Sequence, residues 1–89
     1  MRAVITVIGQ DKVGIIAGVS GILAECSVNI LDISQTIMQD VFTMIMLVDL
    51  GTSDMSFDTI KEQLHAFGDK KEVQIHLQHE NIFNAMHRI

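Results

Sequence analysis

The chain has 89 residues, 48% of them hydrophobic, a formal net charge of -5 and one cysteine. That length suits a single domain, 1–89, with one modest core. Only six residues are Lys or Arg, and apart from the adjacent Lys70 and Lys71 they are scattered, which argues against nucleic acid as a partner.

A lone Cys26 excludes an internal disulfide and suits a reducing compartment, so a cytoplasmic protein is expected. Met1-Arg2 leads into a short β-branched run, unlike a secretory signal. No apolar stretch reaches membrane-span length, so no membrane partner is expected. So much apolar residue in so short a chain predicts a homo-oligomer, at least a homodimer.

In chain order, Ala3 to Ile8 reads as a strand buried on both faces and central in its sheet. Gly9 to Gly14 is a polar turn. Ile15, Ile16, Val19, Ile22, Leu23 and Cys26 recur at helical spacing, so a helix is predicted from about Gly14 to Glu25. Its interior glycines each cost about 1 kcal/mol, a cost attributed to close packing on a sheet. Asn29 to Met38 is predicted as a half-buried strand, with Asp32, Ser34 and Thr36 on one face and Leu31, Ile33 and Ile37 on the other. Gln39-Asp40 turns the chain into Val41 to Leu50, completing an antiparallel hairpin. Phe42, Met44, Met46, Val48 and Leu50 make one apolar face of that strand; Val41, Thr43, Ile45 and Leu47 make the other nearly as apolar.

Ser56 is the N-cap expected for a second helix marked by Phe57, Ile60, Leu64 and Phe67, and Gly68 is placed to end it in a left-handed cap. Val73, Ile75 and Leu77 alternate with Gln74, His76 and Gln78 as a one-sided strand. Asn81 is placed to cap a terminal helix, an extension over about 80–89 with Ile82, Phe83, Met86 and Ile89 on its apolar side. The order β-α-β-β-α-β predicts an α+β, ferredoxin-like βαββαβ sandwich. Its four-stranded antiparallel sheet carries two helices on one face, with a short C-terminal helix extension. The other sheet face, with Val41, Ile45 and Leu47, needs cover from the terminal helix or another subunit.

The strand ending at Gly9, the loop Gln10-Asp11-Lys12-Val13-Gly14-Ile15 and the segment Val28-Asn29-Ile30-Leu31-Asp32-Ile33 resemble an ACT domain. The tail Asn81 to Ile89 resembles the extension of small single-ACT-domain proteins of prokaryotes. The resemblance implies a regulatory domain that associates through sheet edges or faces and binds an amino acid or similar small effector at a subunit interface. Carried over by position, it implies Asp11, Gly14 and Ile15 on the loop of one subunit. From the second strand of a neighbour it implies Asn29, Ile30 and Asp32.

The residues themselves leave alternatives. Free N–H groups at the first helix's start favour a carboxylate, but Asp11 and Gly14 equally make a structural turn. Gly14 is followed by Ile15-Ile16 rather than Lys-Ser, against a phosphate loop. Asn29 could meet both ends of an amino acid, or sit as a left-handed turn residue. Asp32 could meet an ammonium group, or simply face solvent. His76 and His79 fall on opposite strand faces, His65 lies on a helix and His87 beside Arg88 in the tail, so no metal site is expected. Cys26 reads as a buried small hydrophobe. No catalytic constellation and no cofactor are implied, and the arginine of an acylphosphatase-type loop is missing, so no enzyme is expected. The alternative function is a ligand-independent oligomeric adaptor for a protein partner.

Overall fold

The computed structural model describes the chain except residues 11–13 and 87–89. Its elements are β1 (Arg2–Gln10), α1 (Ile15–Glu25), β2 (Asn29–Met38), β3 (Val41–Asp49), α2 (Phe57–Lys71), β4 (Gln74–His79) and α3 (Glu80–Met86). The four strands form one sheet of order β2-β3-β1-β4, every neighbouring pair antiparallel. This is the predicted ferredoxin-like sandwich.

The core lies between the sheet and the two long helices. Ala3, Ile5 and Val7 of β1 meet Phe42, Met44, Met46 and Val48 of β3 and Ile75 and Leu77 of β4 on the inner face. Ile15, Val19 and Leu23 of α1 and Ile60 and Leu64 of α2 close it from above. The helices touch each other where Gly18 faces the ring of Phe67; a Cβ at Gly18 would run into that ring. Close packing therefore explains Gly18, but against a helix rather than the sheet. Gly21 is exposed, with nothing within 4 Å of a would-be Cβ.

The Ser56 hydroxyl caps α2 by accepting from the Thr59 N–H at 3.2 Å. Asp58 in the first turn and Lys70 and Lys71 in the last complement the helix dipole. Gly68 does not end this helix. It is buried inside it, and a Cβ there would lie 2.8 Å from the Val73 carbonyl oxygen and 3.3 Å from Ile75 Cγ1. Glycine is required by the approach of α2 to the start of β4. The left-handed residue is Glu72, at φ 59°.

Two strand expectations change. β1 is central, yet on its outer face Val4 is buried while Ile8 is 38% exposed. β2 is not half-buried in a single chain. It is an edge strand, and Leu31, Ile33 and Ile37 are 45%, 41% and 59% exposed, while Ile30 packs against the core. α3 begins at Glu80 rather than after an Asn81 cap, contacts β1 and β4, and is tied to β1 by Arg2–Glu80 at 2.9 Å. It leaves Val41 and Ile45 47% and 38% exposed.

Candidate functional site

The sheet register fixes where the sequence-derived site residues stand. Arg2, Asp49 and Asn29 lie side by side at one end of the sheet, and Gln10, Val41 and Met38 at the other. Eight residue steps of about 3.3 Å separate these ends by roughly 26 Å. α1 starts at the Gln10 end and runs back, so Gly14 and Asn29 sit at opposite ends of one chain. One subunit does not bring the loop group and the strand group together.

At the loop end, Asp11 lies outside the described residues. Gly14 is exposed and left-handed, at φ 89°, and stands at the N-cap of α1. No side chain among the described residues caps the helix, and no acidic residue occupies its first turn. The helix therefore opens on backbone N–H groups with a positive dipole end, the physical requirement for holding a carboxylate. Ile15 is buried in the core. It has only its backbone to offer a ligand.

At the strand end, Asn29 is exposed and extended within β2. The left-handed residue of the preceding turn is Ser27, at φ 58°, so the turn reading of Asn29 fails. The Ser27 carbonyl accepts from the Thr52 hydroxyl at 2.7 Å, which braces that turn against the β3–α2 loop. A bulge falls between Ile30 and Asp32: Ile30 pairs with Val48 and Asp32 with Leu47. The extra residue turns Asp32 onto the outer face that Asn29 shares, where plain alternation would oppose them. The exposed Asp32 carboxylate also accepts from the Ile33 N–H at 2.9 Å. Ile30 points inward and packs on the core.

Beside Asn29 the structure adds a polar row that residue patterns along one strand do not reveal. Asp49 accepts from the Gly51 N–H at 2.8 Å and lies 3.4 Å from the Met1 ammonium. The Gly51 N–H first, then the ammonium, lower its pKa below the usual carboxylate value. Arg2, Asp49, His79 and Glu80 line a cleft of about 440 Å³ at this end. His79 stacks flat on Phe57, centroids 4.3 Å apart, whereas the exposed His76 pairs with Thr6. Among the described residues, no group of three His, Cys, Asp or Glu could hold a metal ion. Buried Cys26 donates to Gln63 Oε1 at 3.5 Å; burial and then Glu25 push its thiol pKa up, away from nucleophilic use.

The βαββαβ frame agrees with the family comparison. The model for the ACT domain matches residues 2–78. The chain belongs to the ACT domain family. It is 64% identical over its full length, and the relative's, to a UPF0237 protein of Clostridium acetobutylicum. It is 54% identical to a UPF0237 protein of Methanocaldococcus jannaschii, over 99% of this chain and 98% of that one. A solved ACT domain protein from Streptococcus pneumoniae superposes with a TM-score of 0.80 at 44% identity, covering 93% of each chain. The regulatory subunit of aspartate kinase from Thermus thermophilus shares the fold, at a TM-score of 0.67 and 24% identity over 86% of this chain and 50% of that one. ACT domains are typically regulatory domains for small ligands. No helix among the described residues is long and apolar enough to cross a membrane.

Proposed function

We propose that this ACT domain is a homo-oligomeric sensor that binds an amino acid or similar small acid between subunits, and that it is not an enzyme. One observation supports the reading: Gly14 and Asn29 stand at opposite ends of the sheet, and its edge strand β2 is open along ten residues. Antiparallel pairing of β2 with β2 of a second copy, across a two-fold axis normal to the sheet, reverses one copy. It brings Asn29 of the partner subunit to the end where α1 begins. Leu31, Ile33 and Ile37, exposed on the same strand, lose water in that contact, and the open N–H and C=O groups gain partners.

In the resulting site, N–H groups at Gly14 and Ile15 hold the ligand carboxylate. Asn29 of the partner subunit, at the rim of the sheet, bridges its polar head, and the partner's Asp32, on the outer face away from α1, favours the ammonium from around the sheet edge. Asp11 is assigned to the site by the resemblance alone. Buried, unpaired Cys26 supports a reducing, cytoplasmic setting. The test is a thermal-shift screen of the standard amino acids and related small acids, with hits titrated calorimetrically. Asn29→Ala is expected to weaken binding tenfold to a hundredfold, as about 1.5–3 kcal/mol is lost with a hydrogen bond to a charged group. A hit that binds wild type, Asn29→Ala and Asp32→Ala equally would refute the site. No hit at millimolar concentration would favour the adaptor instead.

A further inference from the structure

A hollow of about 270 Å³ opens at the Gln10 end of the sheet, lined by Gln10, Ile37, Gln39 and Asp40. It lies between the last residue of β1 and the tip of the β2–β3 hairpin, at the end of the sheet where α1 starts. Whole small-molecule sites run from about 300 to 1,000 Å³. This hollow is the size for one part of a ligand, a side chain, rather than for all of it.

Its lining is amphipathic. Ile37, 59% exposed, offers an aliphatic wall. Gln10, Gln39 and Asp40 are exposed and polar. No lysine or arginine lines the hollow among the described residues, and the Asp40 carboxylate has no ion pair or hydrogen bond among them. The cleft at the Asn29 end differs, since Asp49 already faces the Met1 ammonium there and Glu80 the Arg2 guanidinium. Gln39 adds a second observation. It stands at φ 56°, a left-handed turn position that favours glycine or asparagine. The turn alone gives no reason for glutamine, and a side chain kept at a conformational cost points to a use for that side chain.

We infer that the hollow takes the side chain of the ligand, and that this side chain is an aliphatic stem ending in an ammonium group, as in lysine or ornithine. The inference rests on the site proposed above, whose loop half stands at this end of the sheet. The stem packs on Ile37 and the tip meets Asp40. An ammonium carries three N–H donors. The Asp40 carboxylate and the amide oxygens of Gln10 and Gln39 are three acceptors, so every donor has a partner. A carboxylate tip would set like charge against Asp40. A wholly aliphatic tip would cover the three polar groups without pairing them. The net charge of -5 also draws a cationic ligand over an anionic one.

Calorimetric titration with lysine and with norleucine, its isostere lacking the ammonium, tests the inference. Wild type is expected to bind lysine about tenfold more tightly, the lower end for a hydrogen bond to a charged group because Asp40 is exposed. Asp40→Asn is expected to abolish that preference by weakening lysine alone. Gln39→Gly is expected to keep or raise the melting temperature, because glycine relaxes the turn, yet to weaken lysine and spare norleucine. Equal affinity of wild type for the two ligands, or a lysine preference unchanged in Asp40→Asn, overturns the inference. Asn29→Ala separates it from the site beneath. If that change weakens both ligands alike, the shared site stands whatever the lysine preference; if it weakens neither, the site falls and the inference with it. No binding of either ligand at millimolar concentration overturns both.

Discussion

Gly14 and Gly21 stand one on each side of a conformational divide. Gly14 has open space around it but φ 89°, a region where a side chain strains the backbone. Gly21 has open space and ordinary helical geometry. Gly14→Ala is therefore expected to lower stability by about 1–2 kcal/mol, and Gly21→Ala to raise it by about 0.4–1 kcal/mol. Urea unfolding of the two variants checks both signs at once. The same contrast bears on the site. Gly14 earns its place through backbone geometry at the mouth of α1, whereas an ordinary helical glycine would have no such link to a ligand. Asn29 follows the same logic in reverse: with Ser27 in the left-handed position, its amide is left exposed on a strand rather than committed to a turn.

At the level of elements, the hairpin, both long helices and the element order follow from periodicity because burial on one side imposes it. What was not legible depends on neighbours distant in sequence. The role of Gly68 is set by the Val73 carbonyl, so Gly68→Ala is expected to cost about 1–3 kcal/mol by overpacking α2 against β4, without shortening the helix. Thermal melts with far-UV circular dichroism distinguish that from loss of a cap. The bulge at Leu31 was equally hidden, since β2 alternates acceptably on either reading; only pairing with β3 turns Asp32 onto the Asn29 face. The Asn29–Asp49–Arg2 row needs the register of three strands. The residues of the resemblance thus name both halves of the proposed site, but the pattern along one strand is silent about which end of the sheet each occupies.

For the whole molecule, 36 × 34 × 19 Å is the shape of one helix layer on one sheet layer, with the second sheet face left uncovered beyond α3 by the described residues. The open β2 edge is where a second subunit is proposed, and the proposed ligand site depends on that edge. The most direct measurement is subunit complementation, using the ligand found in the screen. Gly14→Ala damages the loop half of the site and Asn29→Ala the strand half. The two variants are mixed one to one after unfolding and refolding together, and binding is measured by calorimetry. A site shared across β2 regenerates one intact site in each mixed pair, so tight binding returns at about a quarter of wild-type stoichiometry when pairs form at random. A site contained within one chain regenerates none; a mixture that binds no better than the two variants apart would contradict the shared site.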